Sequence, residues 1–198
     1  MSLIIAEPNP VNNVIVLNHT TTSVTLSWDQ PFDHKPEYTY KVAVNGNLST
    51  NVTENEFITV TQLNPGTRYI FRVFTLTADN TSADPVTVSS TTVPSKPGAI
   101  NVTALSNSSI SLSLGRPVDM EVNQYNFSIT YRAANRSDGS LIESSNSTTI
   151  QGLQSGTNYT IVVTTIVLGG VKSEAVVRSQ FTRKWGEISL VDWVAARM

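Results

Sequence analysis

Ten asparagines in this sequence begin the triplet Asn-x-Ser/Thr, the acceptor for N-linked glycans. They are Asn18, Asn47, Asn51, Asn80, Asn101, Asn107, Asn126, Asn135, Asn146 and Asn158. With 17 asparagines and 48 serines or threonines in 198 residues, composition alone would give about four such triplets. The excess favours a chain that passes through the secretory pathway, where these side-chain amides are glycosylated.

Acid–base and metal chemistry has weaker support. His19 lies inside an acceptor triplet, and His34 lies in a loop near Asp29 and Asp33. A metal or hydrolytic site needs converging ligands with supporting partners, which this spacing does not provide. A solvated loop is therefore the simpler interpretation of the His34 segment.

Other candidate chemical residues fit turns. Asp79 and Asp84 flank a loop beside Asn80, and Gly169-Gly170 is typical of a hairpin turn rather than a phosphate-binding loop. The chain has no cysteine, which excludes disulfides, thiolate metal sites and cysteine nucleophiles. We predict no catalytic residue, no metal site and no cofactor.

The charge balance bears on partners. The net charge is -2 and the isoelectric point is about 5.6, so no broad basic field is available for nucleic acid or an anionic membrane. No stretch approaches the roughly 20 apolar residues of a membrane span. The first eight residues are short and lack the basic start of a signal peptide. We expect the sequence to be a fragment or a mature segment, without direct membrane insertion.

The elements that position these residues come from an internal repeat. The block Leu63-Asn-Pro-Gly-Thr-Arg-Tyr-Ile-Phe-Arg-Val73 recurs as Leu153-Gln-Ser-Gly-Thr-Asn-Tyr-Thr-Ile-Val-Val163. Around each copy, short runs of β-branched and aromatic residues alternate with polar ones and are separated by Gly, Pro, Asn and Asp. Such runs, about seven in each repeat, predict two antiparallel sandwiches.

Individual strands follow the same duplication. Val24–Trp28 corresponds to Ile110–Leu114 at an offset of 86 residues, Tyr40–Val44 to Phe127–Tyr131 at 87, and the repeated blocks at 90. Loop insertions account for the drift, since surface connections lengthen at little cost. Two prolines in segment 93–98 favour a stiff linker. We predict domains at 8–93 and 97–182, followed by an atypical tail, 183–198.

The motif Leu-x-x-Gly-Thr-x-Tyr before an alternating strand, with Trp28 closing a strand some forty residues upstream, resembles the fibronectin type III repeat. The resemblance covers residues 8 to 182 and implies an all-β chain of two tandem seven-stranded immunoglobulin-like sandwiches. It also implies that Tyr69 and Tyr159 form tyrosine corners, in which the hydroxyl bonds back to the upstream main chain. Free carbonyls of the preceding turn are the partners we expect for these hydroxyls.

Two places depart from the family pattern. Leu114 stands where the family usually has Trp, so we expect Tyr125 or Tyr131 to fill the second core and the second domain to be the less stable one. The tail could form an amphipathic helix with Ile188, Val191 and Val194 near one face. The alternative is a chain end with little order.

The implied sandwich also assigns surfaces. Asn126 and Asn158 would lie on neighbouring strands of one sheet and point outward, so that glycans cover this face of the second domain. In the first domain we expect the same sheet to have no acceptor triplets along its strands. Its outward residues would form a basic, partly apolar contact face: Thr39, Lys41, Ala43, Arg68, Ile70, Arg72 and Phe74. An ordinary solvated face, or a contact with an adjacent repeat, is the alternative.

Among families with such repeats, the Asn-rich domains joined by Val-Pro-Ser-Lys-Pro resemble the ectodomains of receptor-type tyrosine phosphatases. The resemblance implies a non-catalytic, glycosylated segment outside the cell, in a single-pass membrane protein or a secreted one. Its partner would be an extracellular protein or glycan ligand, or a second copy in cis. Two alternatives remain: a passive spacer of a matrix or adhesion protein, and an accessory repeat of a secreted carbohydrate-active enzyme.

Overall fold

The computed structural model describes residues 7–121, 124–134 and 139–186, with backbone only for residues 47–51. The chain separates into two units, Met1–Val93 and Pro94–Met198. The described part of each unit is built from seven β-strands, turns and loops, with no α-helix. The all-β prediction is therefore confirmed. The predicted tail helix, and with it Ile188, Val191 and Val194, lies outside the described residues.

The first unit is a sandwich of two antiparallel sheets. The three-stranded sheet has the order β1-β2-β5, and the four-stranded sheet has the order β4-β3-β6-β7. The strands are β1 (Asn12–His19), β2 (Val24–Asp29), β3 (Thr39–Val44), β4 (Asn47–Thr53), β5 (Phe57–Val60), β6 (Arg68–Leu76) and β7 (Val86–Thr91).

The second unit repeats this topology. Its sheets have the orders β12-β9-β8 and β11-β10-β13-β14. The strands are β8 (Ile100–Leu105), β9 (Ile110–Leu114), β10 (Asn126–Arg132), β11 (Gly139–Glu143), β12 (Ser147–Ile150), β13 (Asn158–Ile166) and β14 (Val176–Phe181). Two tandem seven-stranded sandwiches were predicted, and the fold is confirmed.

Each core follows from the period-two pattern of its strands. In β2, Val24, Leu26 and Trp28 are buried, while the residues between them are only partly covered. The indole of Trp28 packs edge-on against Tyr40, with ring centroids 5.4 Å apart. Both rings belong to the first hydrophobic core.

The second core is filled without a tryptophan. Leu114 takes the position of Trp28, and Tyr125 is buried beside Phe127 with ring centroids 5.4 Å apart. Met120 and Val167 also join this core. Of the two tyrosines expected to compensate, Tyr125 is a buried member of the core, and Tyr131 packs on it while only half-buried. The lower stability of the second domain stays a prediction. Because of this extra packing, the expected difference in stability between the two domains is smaller.

The repeated tyrosines occupy corners just after the Leu-x-x-Gly turns. The backbone N–H of Asn64 donates to the Tyr69 hydroxyl at 2.8 Å, and that of Gln154 donates to the Tyr159 hydroxyl at 3.0 Å. The expected partner, a free carbonyl, is therefore wrong: in each domain the observed bond has the hydroxyl accepting from an amide. The carbonyls of the same turn are taken by another residue.

That residue is a buried threonine at the end of each four-stranded sheet. The Thr92 hydroxyl donates to the Asn64 carbonyl at 2.7 Å and accepts from the Thr67 N–H at 3.0 Å. Thr182 makes the same two bonds with Gln154 and Thr157. Each corner is thus closed by a tyrosine and a threonine, so that the buried backbone groups of the turn are satisfied.

Candidate functional site

The predicted contact face lies on the outer side of the four-stranded sheet of the first domain. Strand register aligns its residues in rows: Lys41 is opposite Phe74, Ala43 is opposite Arg72, and Ile70 is opposite Ser89. Arg68, Ile70 and Arg72 are exposed, and Lys41 and Phe74 are half-buried. These five residues, Lys41, Arg68, Ile70, Arg72 and Phe74, are called the basic face below.

Two of the seven predicted outward residues add less exposed surface to this face than expected. Ala43 is only 2% exposed, so its assignment to the accessible face is wrong. Its methyl group is short, and the long side chain of Arg72 stands opposite on the same side of the sheet. Thr39 is half-buried at the start of β3.

The electrostatics of the basic face are one-sided. The outward positions of β3, β6 and β7, all within the described residues, carry three cations and no carboxylate. From Arg68 to Phe74 the face extends about 20 Å along β6, at roughly 3.3 Å per residue. An acidic surface of that length would meet unopposed positive charge, flanked by the apolar groups of Ile70 and Phe74.

Local turn chemistry fixes this end of the sheet. Asn45 and Gly46 form the two-residue turn between β3 and β4, both with positive φ, at 51° and 83°. The Asn45 side chain then accepts from the Ile70 N–H at 3.0 Å, and its own N–H donates to the Ile70 carbonyl at 2.8 Å. Arg68 donates to the Ser89 hydroxyl at 3.1 Å. Hydrogen bonds therefore hold the Ile70 backbone to the β3–β4 turn and the Arg68 side chain to β7.

The expectation of a sheet without acceptor triplets is wrong for one strand. Edge strand β4 belongs to this sheet, pairs with β3, and carries Asn47 and Asn51. The outward residues predicted from the sequence lie on β3 and β6 alone, and β4 is a further strand of the same sheet. The described outward positions of β3, β6 and β7 carry no acceptor triplet.

The same positions in the second domain have a different character. The offset of 87 on β3 and 90 on β6 places Ser128 at the position of Lys41, Asn158 at that of Arg68, and Val162 at that of Arg72. The pairing of Ser128 with Thr164 reproduces that of Lys41 with Phe74. The three equivalent positions carry no cation and include an acceptor asparagine, while this face keeps one cation, the exposed Arg132 opposite Thr160. The two equivalent faces therefore differ in charge and in the presence of an acceptor triplet.

The acceptor asparagines occupy accessible positions wherever their side chains are described, with one exception. Exposed examples are Asn18, Asn80, Asn101, Asn126, Asn146 and Asn158, and the exception, Asn107, is half-buried. Asn135 lies outside the described residues, and the side chains of Asn47 and Asn51 do too. Asn126 and Asn158 start adjacent antiparallel strands, at opposite ends of one sheet face. Their glycosylation stays a prediction.

The His34 segment does not assemble a reactive centre. The His34 ring lies 3.4 Å from the Tyr40 hydroxyl and edge-on to Tyr38, while Asp29 accepts from the Asn13 amide at 2.6 Å. Burial raises the pKa of Tyr40, with a further contribution from the negative charge of Glu56. Within the described ranges, no three His, Cys, Asp or Glu side chains converge as metal ligands.

The loop at Asp79 is a turn closed by its own side chains. The Thr77 hydroxyl bonds to the Asp79 carboxylate, which also accepts from the Thr81 hydroxyl at 3.2 Å. These bonds, the one from Thr77 first, hold the pKa of Asp79 below its ordinary value. Asn80 has φ of 66° at the turn, as Gly170 has φ of 82° at the equivalent turn of the second domain. The Asp79 loop is thus a structural turn that presents an acceptor asparagine.

Both domains match the same known domain family. The profile of the fibronectin type III domain matches residues 9–91 and again residues 95–180. The chain belongs to the fibronectin type III family. The tyrosine-corner motif had indicated this membership, and the resemblance drawn from it is confirmed.

Three curated relatives are similar over most of the chain. Human receptor-type tyrosine-protein phosphatase H is 31% identical over 164 residues, and the chicken receptor-type tyrosine-protein phosphatase eta is 32% identical over 173 residues. Chitinase A1 of Niallia circulans is 32% identical over 167 residues. These matches cover 79%, 83% and 79% of this chain but only 14%, 12% and 23% of the relatives. This fibronectin type III chain therefore spans a small part of each relative's length.

A solved structure supports the fold. A two-domain fibronectin type III segment from chicken tenascin aligns with a TM-score of 0.60 and 18% identity, covering 87% of this chain and 99% of that one. At this identity the likeness shows the fold alone. The described residues include no helix with the length and apolar character that crossing a bilayer requires.

Proposed function

We propose that this fibronectin type III pair is a non-catalytic extracellular segment of a glycosylated cell-surface receptor, of the receptor-type tyrosine phosphatase kind. Its role is to recognise a partner outside the cell and to act as a spacer within the extracellular part of the receptor. Support comes from two phosphatase relatives that match both domains and from the ten acceptor triplets. Any phosphatase catalytic domain would lie outside this chain.

The observation that carries the recognition role is the contrast between equivalent sheet faces. The first domain presents Lys41, Arg68 and Arg72, while the second has Ser128, Asn158 and Val162 at the same register positions. A passive spacer has no need for this difference, because both faces would only have to stay soluble. A binding domain joined to a shielded domain accounts for it.

The partner of the basic face is an extracellular molecule with an acidic surface. Arginines beside accessible apolar groups are the usual anchors of protein interfaces, and the exposed Ile70 and the half-buried Phe74 provide such groups next to Arg72. An acidic protein surface fits this composition best, and a second copy in cis or an anionic glycan are the outcomes to be distinguished. Nucleic acid and direct membrane insertion are not part of the proposal.

Charge reversal at Lys41, Arg68 and Arg72 is expected to abolish binding of the secreted, dimerised segment to tissue sections or cell panels that carry the partner. Each lost charge contact at such a face weakens binding, and three reversals replace attraction by repulsion. At least a hundredfold loss is expected from about 1 kcal/mol or more per site. Binding of labelled protein to positive cells is the measurement.

The matched control reverses three exposed cations elsewhere: Lys96, Arg132 and Lys172. This control changes the net charge by the same amount, so it separates a specific face from a general charge effect. Equal loss in both variants, or unchanged affinity in the basic-face variant, contradicts the proposed binding face. Treating the cells with heparan-sulfate lyases or protease distinguishes an anionic glycan from a protein partner.

The chitinase relative favours a second candidate, an accessory repeat of a secreted carbohydrate-active enzyme. Such a repeat would keep catalytic machinery and carbohydrate apart and would have no requirement for N-glycans. Occupied acceptor asparagines on the protein secreted from its native cells would therefore count against this candidate. Binding through the basic face would count against it as well, and also against a passive matrix spacer.

A further inference from the structure

The second domain exposes an aromatic residue on an unpaired sheet edge. Phe181 is 59% exposed at the end of β14, which pairs with β13 and, among the described strands, forms one edge of its sheet. Val177, on the same side of β14, is also 59% exposed. An edge strand with outward apolar residues is a template for pairing with another chain. The one charge of β14, Arg178, lies on the opposite side of the strand and donates to the Ile100 carbonyl at 3.0 Å, so the side with Val177 and Phe181 has no charge to keep it monomeric.

An acceptor asparagine stands directly opposite this aromatic ring. Asn158 of β13 is the cross-strand partner of Phe181 and is exposed on the same side of the sheet. Directly opposed residues on one sheet face have their Cβ atoms about 4.5–5.5 Å apart. The first sugar of a glycan on Asn158 would therefore begin within contact distance of the Phe181 ring.

The equivalent pair in the first domain lacks both features. At the same register, Arg68 is opposite Thr91. Where the second domain replaces the threonine by the aromatic Phe181, it also replaces Arg68 by the acceptor Asn158. The cation of the first domain and the glycan of the second would each keep this end of the sheet solvated.

We propose that the N-glycan on Asn158 packs over Phe181 and keeps the β14 edge from pairing with a second copy of the chain. The C–H faces of a pyranose are apolar and pack against aromatic rings, while its hydroxyls remain hydrated. The glycan thus removes part of the phenyl surface from water and places a bulky polar group beside the open edge. It shields the second domain and leaves the basic face of the first available.

The inference rests on the proposed secretory glycosylation and is tested separately from binding by the basic face. The test uses the full chain secreted from mammalian cells, as wild type, Asn158→Gln, Thr160→Ala, Phe181→Thr and Asn158→Gln/Phe181→Thr. Thr160→Ala also destroys the triplet but keeps the asparagine. Asn101→Gln is the matched control, because Asn101 is an exposed strand acceptor whose cross-strand partner is the polar Ser113.

Sedimentation velocity over a concentration series is the measurement, with circular dichroism to verify folding. The wild type, Phe181→Thr and Asn101→Gln proteins are expected to stay monomeric, whereas Asn158→Gln and Thr160→Ala self-associate with rising concentration. The double variant returns to monomer, because the exposed aromatic is gone. Monomeric Asn158→Gln and Thr160→Ala, a double variant that still associates, or a wild type without glycan at Asn158 each overturn the inference. None of these results bears on the charge-reversal test.

Discussion

Replacing Trp28 by alanine is expected to lower the free energy of unfolding of the first domain by about 3–5 kcal/mol. Trp28 is 3% exposed and packs on Tyr40, so its removal loses an aromatic contact and leaves a large cavity. The indole Nε1 has no hydrogen-bond partner within the described residues, so no polar group is orphaned by the change. The full effect is therefore attributed to packing.

The measurement is urea unfolding of the two-domain chain followed by circular dichroism, with each isolated domain as reference. The second transition should not move, since each unit has its own hydrophobic core. Leu114→Ala is the matched change in the second domain, expected to cost about 2–5 kcal/mol there and nothing in the first. If Trp28→Ala shifts both transitions equally, the two cores are not independent. The order of the two transitions in the wild type tests the lower stability predicted for the second domain.

Replacing Thr92 by valine is expected to destabilise the first domain by about 1–3 kcal/mol, although the two side chains have nearly the same shape. The lost hydroxyl accepts from the Thr67 N–H and donates to the Asn64 carbonyl. Valine can do neither, so two backbone groups beside the tyrosine corner lose this partner. The corner is therefore expected to loosen together with the stability.

Thr75→Val is the matched control for that prediction. Thr75 is as fully buried as Thr92, but its hydroxyl has no partner among the described residues. The same substitution there should be neutral or stabilise the domain by up to about 1 kcal/mol, because it removes an unsatisfied buried hydroxyl. Thr182→Val and Thr165→Val form the same pair in the second domain. Equal effects at Thr92 and Thr75 would show that the corner hydrogen bonds contribute nothing.

The fold was predictable because its signals are local. The repeated tyrosine block fixed the domain count, and period-two alternation in Val24–Trp28 gave the buried side of a strand without any tertiary information. The same parity placed Asn158 outward beside the buried Tyr159. Burial was harder to predict for a residue whose exposure depends on neighbouring side chains more than on its inward or outward position in the strand. Ala43 faces outward by register and is nonetheless buried opposite Arg72.

The candidate site was only partly predictable, since it depends on which strands meet. Membership of β4 in the four-stranded sheet follows from its pairing with β3, which the weak alternation of Asn47–Thr53 did not reveal. Thr92 and Thr182 were missed although they share the offset of 90 that relates the tyrosines. Ser and Thr are abundant throughout this chain, so one more matched pair carries little signal until its hydrogen bonds are seen.

Site-resolved glycan mapping of the protein secreted from eukaryotic cells tests the shielding of one sheet face most directly. Glycans at both Asn126 and Asn158 are expected, because both asparagines are exposed on the four-stranded sheet of the second domain. A secreted, folded protein with Asn126 and Asn158 both unoccupied would contradict the division into a shielded and a binding domain.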